Sequence, residues 1–367
     1  MGILQPIWDG TFVYREPVCF SADKDGRPTG GTLLYQPEEI LSVTSFDGSV
    51  FYQPVRDYTA NGRQLVRTEA SRIPYLERSV YCKPFTGVPE TAWVRLSGGK
   101  AYMEVVSDVY RWQTLVTYTH RDKWAGFQPK TCGESLPRSM EKLRAGGDFH
   151  LTLYGDSITA GWEASGCNER AIDMVTLGEY HVSLWHAPYQ PAWAELVTNA
   201  LQARYPQSNV IKTNRAAGGS TVQWGGEHAA ELVPPCKPDL IMLGFGMNSM
   251  QESTEDYRRA ILSIIRTIRK ECHDCEFVLM SPMIPNPEIK GFQNNQLPAQ
   301  QDVLYQIAAE LEGVCIAPVH SVFREMTARG KHYLELTGNC INHPNDFSVR
   351  VYAQTVLRTL GVDGNDG

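Results

Sequence analysis

The chain has 367 residues, of which 20% are charged, and its formal net charge at pH 7 is −7. It contains no Lys/Arg-rich run, which disfavours a nucleic-acid partner, and no apolar stretch near the roughly 20 residues that a membrane helix needs. The first ten residues, MGILQPIWDG, lack the basic start and long apolar core of a signal peptide. We therefore expect a globular protein that binds neither nucleic acid nor membrane. It is expected to be cytoplasmic, or secreted after removal of a signal peptide, and the sequence sets no oligomeric state.

The first part of the chain, residues 1–145, is rich in short segments that carry Val, Thr, Tyr and Phe between DG and NG turn signals. Examples are GTFVYREPVCFSA, SVTSFDGSVFYQPV and RWQTLVTYTHRD. This pattern is typical of an all-β sandwich. We predict a jelly-roll-like accessory domain over residues 1–145, with its boundary in the polar segment PRSMEKLRAGGD, near residues 140 to 148.

Residues 146–367 differ in character, because apolar strand-like runs there alternate with helical patterns. The runs are FHLTLYG, NVIKTN, DLIMLGFG, EFVLMS and VCIAPV. Apolar residues recur at helical spacing in four segments, 191–205, 254–270, 298–312 and 346–360. Strands that alternate with helices in this way predict a doubly wound α/β fold with a five-stranded parallel sheet.

Reactive residue types follow several of these strands. Ser157 follows the first strand in LYGDSITAGW, Gly219 follows the second in NRAAGGST, and Asn248 follows the third in GFGMNS. His343 precedes the last helix in GNCINHPND. Because ligands bind at the carboxyl ends of the strands in an open parallel sheet, we expect these four residues to meet at one rim. A serine hydroxyl, a histidine base and amide donors are the groups that acyl transfer through a serine requires.

The four segments, in this order, resemble the four sequence blocks of the SGNH, or GDSL, hydrolases, and the resemblance runs from Gly147 to the C-terminus. It implies that Ser157 is the nucleophile and His343 its base. It also implies that the amides of Ser157 and Gly219 and the Asn248 side chain form the oxyanion hole, and that no cofactor takes part. The layout is similar to that of two-domain carbohydrate O-acetyl esterases, including bacterial ones. The expected partner is therefore an acetylated carbohydrate substrate.

The chain departs from the family pattern at two positions. Cys340 stands where the family has an Asp three residues before the His, and Ser249 stands where it usually has a second Asp. The first Asp would orient the His and stabilise the imidazolium. Three groups are candidates for that task at His343: a backbone carbonyl of residues 339–341, the side chain of Asp346, or a distant carboxylate. We favour the carbonyl, which would leave a Ser-His dyad.

Simpler roles are open for several of these residues. Ser157 suits the N-cap of a helix that follows a strand, and Gly218 replaces Gly219 if the register differs by one. Trp162 and Trp224 flank the first two blocks. Both are candidate substrate-binding residues, because aromatic faces suit stacking on sugar rings, and core packing is the alternative for each.

The predicted function is a serine esterase that removes acetyl groups from O-acetylated sugars, oligosaccharides or polysaccharides through an acyl-enzyme. A lipase-like or thioesterase-like acyl-ester hydrolase is the main alternative, and a carbohydrate-binding protein with a degenerate hydrolase half is another. Cys272 and Cys275 form a lone CxxC pair, but a structural zinc site needs four ligands, so we predict no metal. The segment GFGMNS lacks the third glycine of a dinucleotide-binding motif, so we predict no nucleotide cofactor.

Overall fold

A computed structural model describes residues 3–84, 101–103 and 109–362. Five parallel strands form the central sheet, in the spatial order Ser208–Asn214, Gly147–Gly155, Leu240–Gly244, Glu276–Met280 and Val314–Ala317. Gly147–Gly155, the first strand of this sheet along the chain, therefore lies inside the sheet and pairs with Ser208–Asn214 and Leu240–Gly244. The predicted doubly wound α/β fold with five parallel strands is confirmed.

The sheet is buried on both faces, since successive side chains of a strand point to opposite faces and each face packs into its own hydrophobic core. Leu240 and Met242 belong to one core, whereas Ile241 and Leu243 belong to the other. The helices packed on the first face are Pro137–Ala145, Trp193–Arg204, Val319–Ala328 and Asp346–Leu360. Those on the second face are Val222–Leu232, Thr254–Glu271 and Leu297–Glu310. In the described part of the chain, no helix has the length and apolar character needed to cross a bilayer.

Four of these helices agree closely with the apolar periodicity of the sequence. The best defined is Thr254–Glu271, whose buried stripe is formed by Tyr257, Ile261, Ile264, Ile265 and Ile268. The pattern does not predict Val222–Leu232 or Val319–Ala328. The first contains two adjacent glycines, which weaken any helical signal. The second is short and follows its strand almost directly.

The N-terminal part of the chain is built mainly from short β-strands. Its principal sheet is antiparallel, with Thr114–His120 between Phe12–Val18 and Pro37–Ser45. The smaller strands are Phe20–Ala22, Pro28–Thr29, Tyr58–Asn61, Gln64–Arg67, Tyr75–Leu76, Cys82–Pro84 and Ala101–Met103, and Arg78–Tyr81 is a short helix. The β character agrees with the sequence prediction. The jelly-roll arrangement and the limits of the domain, 1–145 and 146–367, stay predictions.

The polar segment expected to form the domain boundary folds as the helix Pro137–Ala145. Met140 and Leu143 on this helix are buried in the core of the parallel sheet. The Ser208 hydroxyl donates to the Leu143 carbonyl at 2.7 Å, which ties the helix to an edge strand. The segment is polar in sequence because one side faces solvent, where it carries Arg138, Glu141, Lys142 and Arg144.

A buried cluster of charges joins the N-terminal strands to the C-terminal half. The ammonium of Lys331 is fully buried and lies 3.0 Å from a carboxylate oxygen of Glu16 and 3.3 Å from one of Glu335. Burial disfavours the ammonium, but the two carboxylates outweigh that penalty and raise the pKa of Lys331. The Glu335 carboxylate also accepts the backbone N–H groups of Gly31 and Cys19, at 2.8 and 3.2 Å. Contacts between distant parts of the sequence therefore fix this region.

One N-terminal side chain also holds both ends of the loop that carries His343. The Gln113 amide donates to the carbonyls of Leu334 and Thr337, at 2.8 and 2.9 Å. In return its carbonyl oxygen accepts from the Asn345 amide at 3.1 Å. The position of this loop thus depends on the N-terminal strands as well as on the parallel sheet.

Candidate active site

Ser157 lies just beyond the carboxyl end of the central strand Gly147–Gly155. Asp156 shapes the turn, because its Oδ1 accepts the amides of Ile158 and Thr159 at 3.0 and 3.4 Å. Burial raises the pKa of Asp156 to about 7. The turn leaves Ser157 only 6% exposed at the rim of the sheet.

His343 reaches Ser157 from the loop before the last helix. Its Nε2 lies 2.7 Å from the Ser157 hydroxyl oxygen. The loop is closed by a β-bridge between Thr337 and Pro344, and the Gly338 amide donates to the His343 carbonyl at 2.9 Å. Burial lowers the pKa of His343 to about 4, so the ring is neutral at pH 7. A neutral imidazole at this distance can accept the serine proton when Nε2 carries its lone pair.

The other ring nitrogen of His343, Nδ1, faces two side chains. The amide nitrogen of Asn339 lies 2.9 Å from Nδ1. The Oε1 atom of Glu163 lies 3.9 Å from it. The hydrogen bond at Nδ1 therefore comes from the Asn339 side chain and not from a backbone carbonyl of residues 339–341, which the sequence analysis favoured.

Asp346, another candidate to orient His343, is turned to a different partner. Its two carboxylate oxygens accept the amide and the hydroxyl of Ser165, at 2.8 and 2.7 Å. The prediction for Asp346 is therefore wrong, because this buried carboxylate is already engaged. Cys340, at the family's Asp position, is fully buried in an apolar cluster that includes Tyr333.

The two other predicted rim residues follow neighbouring strands of the sheet. Gly219 is exposed and has a φ of +79°, which favours glycine, whereas Gly218 packs against the ring of Trp162. Asn248 is exposed, and its amide donates to the Ser220 carbonyl at 3.0 Å. This bond brings the Asn248 side chain to the loop that contains Gly219.

The residues described so far at the rim fall within one stretch that matches a known family. Residues 153–348 match the GDSL-like Lipase/Acylhydrolase family, and this stretch is more than half of the chain. The chain belongs to this family.

Several solved structures resemble this chain at low sequence identity. A two-domain esterase (CEX) active on acetylated mannans is 20% identical with a TM-score of 0.48, and the match covers 66% of this chain and 56% of that one. Axe2, an acetylxylan esterase from Geobacillus stearothermophilus, is 20% identical with a TM-score of 0.45, covering 59% and 96%. LAE5, an α/β hydrolase enzyme from the metagenome of Lake Arreo, Spain, is 20% identical with a TM-score of 0.46, covering 61% and 100%. The chain thus spans little more than half the length of the CEX esterase. No curated protein sequence matches it.

Ser249 has a structural role beside the loop of Gly219. Its hydroxyl accepts the amide of Val222 at 2.9 Å. Val222 is the first residue of the helix Val222–Leu232, which follows the loop of Gly219. The Ser249 hydroxyl therefore links the loop of Asn248 to the loop of Gly219, the two loops expected to supply donors to the oxyanion hole.

The two tryptophans predicted to bind substrate lie in different surroundings. The ring of Trp162 is 5.7 Å from the ring of His343 and packs edge-on against it. Trp224 is buried in the core beside Tyr154, and its indole N–H donates to the Met174 carbonyl at 3.1 Å. A buried ring cannot stack on a sugar, so the prediction for Trp224 is corrected to core packing.

Glu163 and Asn339, both of which face His343, were not predicted as site residues from the sequence. A signal exists for Glu163, which is the only charged residue in the apolar run from Ile158 to Ala164. A charge in such a run needs a specific partner. Asn339 carries no comparable signal, since asparagine is ordinary in a loop.

A separate cavity of about 220 Å³ lies between the N-terminal strands and the last helix. Tyr14, Phe46, Gln190 and Arg350 are among the residues that line it, and Ser157 and His343 are not. The described residues include no group of three or more His, Cys, Asp or Glu side chains placed to hold a metal ion.

Proposed function

We propose that this GDSL-like hydrolase is a serine esterase that removes acetyl groups from O-acetylated sugars, oligosaccharides or polysaccharides. The observation that carries the proposal is the 2.7 Å hydrogen bond between the Ser157 hydroxyl and His343 Nε2. The pair lies at the carboxyl end of a parallel sheet, where open α/β folds bind their ligands. It is also the pair that an esterase needs as nucleophile and base.

In the proposed reaction, the Ser157 hydroxyl oxygen attacks the acetyl carbonyl carbon while His343 Nε2 takes the hydroxyl proton. The amides of Ser157 and Gly219 and the side chain of Asn248 stabilise the negative charge that develops on the carbonyl oxygen. The tetrahedral intermediate collapses to an acetyl-serine, and His343 gives its proton to the departing sugar oxygen. Water then attacks the acetyl-serine while His343 takes a proton from it; the bond from the acyl carbon to the Ser157 oxygen breaks, His343 returns the proton to that oxygen, and acetate leaves.

One aromatic side chain beside the pair supports a carbohydrate as the leaving group. The ring of Trp162 lies 5.7 Å from that of His343. Aromatic rings offer broad apolar faces with a polar edge, which suits the C–H faces and hydroxyls of a sugar.

Acetate release from a panel of acetylated xylans, mannans and oligosaccharides tests the proposed substrate class. We expect release from at least one of them. For p-nitrophenyl esters, we expect kcat/KM to be about 100-fold higher for the acetate than for the octanoate. A maximum at long acyl chains would instead assign the enzyme to lipase-like ester hydrolysis.

Replacing Asn248 with alanine is expected to lower kcat on an acetyl ester by about 100-fold, with little change in KM. The amide would act on the oxyanion, which exists in the transition state and not in the bound ester. Steady-state kinetics on p-nitrophenyl acetate measure the effect. Asn209→Ala is the matched control, because Asn209 is an exposed residue that pairs with Asp148. An unchanged kcat in Asn248→Ala would remove this residue from the oxyanion hole.

A further inference from the structure

The hydrogen bonds of Asn339 fix the proton on His343 in an unreactive place. The side-chain oxygen of Asn339, Oδ1, accepts hydrogen bonds from the backbone amides of Ile341, Asn342 and His343, at 2.9, 3.0 and 3.1 Å. The amide nitrogen of Asn339 must therefore be the atom that faces His343 Nδ1. An amide nitrogen only donates, so Nδ1 accepts and the ring proton sits on Nε2. In this tautomer Nε2 has no lone pair for the Ser157 proton.

The reactive tautomer carries its proton on Nδ1 and needs an acceptor there. Asn339 cannot serve, because turning its amide round would set NH₂ against three backbone N–H groups. In the described part of the chain, the carboxylate oxygen within ion-pair distance of Nδ1 is Oε1 of Glu163, at 3.9 Å. A shift of roughly 1 Å would bring the two atoms to hydrogen-bond distance.

Glu163 is built into a position that its other contacts do not explain. Its side chain is only 11% exposed, and its Oε2 is buried with no hydrogen-bond partner among the described residues. Its φ is +70°, a conformation that is strained for any residue except glycine. It also packs closely against Gly338, where a Cβ would lie 2.9 Å from that of Glu163. Strain and an unpaired buried carboxylate persist only where the surrounding structure imposes them.

We infer that Glu163 is the positioning residue of the catalytic histidine, in place of the Asp that Cys340 replaces. When Nδ1 is protonated, it donates to the Glu163 carboxylate and Nε2 is free to accept from Ser157. During attack the hydroxyl proton moves from Ser157 to Nε2, and the Nδ1–H bond stays intact. The imidazolium so formed is paired with the negative charge of Glu163, which takes up no proton. This inference rests on the proposed roles of Ser157 and His343.

The ionisation of Glu163 makes the inference testable through pH. The titratable groups that face it are His343, the Tyr110 hydroxyl from the N-terminal part and the Cys167 thiol from the following turn. Burial raises the pKa of Tyr110 well above its usual range and that of Cys167 to about 12, so both stay neutral. Burial raises the pKa of Glu163 to about 7. Activity that needs this carboxylate is therefore lost as the pH falls through about 7.

The experiment compares the wild type with Glu163→Gln on p-nitrophenyl acetate between pH 5 and 9. We expect Glu163→Gln to lower kcat by about 100-fold above pH 7, with KM little changed. We also expect the part of the inflection near pH 7 that comes from Glu163 to disappear, because glutamine does not ionise, and Asp156, whose pKa is also about 7, to account for any inflection that stays. Glu163→Asp keeps a carboxylate, so it should recover part of kcat and retain an acid inflection.

Glu169→Gln is the matched control, since Glu169 is a nearby buried carboxylate that pairs with Lys212. It should keep the inflection whatever its effect on stability. The inference is overturned if Glu163→Gln keeps the wild-type kcat and pH profile while Ser157→Ala is inactive, a result that leaves the proposed function standing. If the wild type hydrolyses p-nitrophenyl acetate but releases no acetate from carbohydrates, the proposed substrate fails. The comparison of Glu163→Gln with the wild type then still tests the inference, because it is measured on p-nitrophenyl acetate and needs no carbohydrate.

Discussion

Replacing Ser157 with alanine is expected to lower kcat for acetyl-ester hydrolysis by about 10⁴-fold or more. The variant lacks the Ser157 hydroxyl oxygen, which would bond to the acyl carbon. In the wild type this oxygen lies 2.7 Å from His343 Nε2. The donors of the oxyanion hole remain, so a residual rate above that in water is expected. Initial rates on p-nitrophenyl acetate, together with circular dichroism of the folded variant, measure the effect.

The matched control for this variant is Ser139→Ala. Ser139 is also a buried serine, but it lies in the helix Pro137–Ala145, where its hydroxyl donates to the Asp239 carbonyl at 3.4 Å. It should leave kcat unchanged. Full activity in Ser157→Ala would overturn the proposed mechanism, because no acyl-enzyme could then form at this position.

Replacing Lys331 with methionine is expected to lower the free energy of unfolding by about 3–5 kcal/mol. The substitution leaves the carboxylates of Glu16 and Glu335 buried without the ammonium that lies 3.0 and 3.3 Å from them. It also removes the donor to the Pro17 carbonyl, at 2.6 Å. Urea unfolding at pH 7, followed by circular dichroism, gives the difference.

Lys142→Met is the control for the loss of a lysine charge. Lys142 pairs with Asp239 at 2.6 Å, but its side chain is 43% exposed, so the expected loss is below about 1 kcal/mol. Equal losses in the two variants would mean that burial of the Lys331 cluster adds nothing to stability.

The parallel sheet and most of its helices were predictable because their signals are local. The strand Leu240–Gly244 is apolar throughout, as a strand buried on both faces must be. The helix Thr254–Glu271 repeats isoleucine at helical spacing. The order of the strands along the chain then places Ser157 at the carboxyl end of the sheet, in a fold where ligands bind at that end.

The surroundings of His343 could not be predicted, because they depend on contacts between residues distant in sequence. Glu163 reaches the ring only because two loops close on each other, and no spacing rule connects positions 163 and 343. Asn339 is near in sequence, but its role depends on which way its amide is turned, and three backbone amides set that direction. Asp346 was the plausible carboxylate by position, yet Ser165 had no visible link to it in sequence.

The C-terminal half of the chain depends on contacts with the N-terminal strands. Residues 146–367 on their own would lose Gln113, the partner of Asn345, and the two backbone amides that donate to Glu335. Each buried polar group left without its partner costs about 1–3 kcal/mol. The first half of the chain thus helps to hold the loop of His343 in place, and exchanging it for another N-terminal segment would require matching hydrogen-bond partners at that loop.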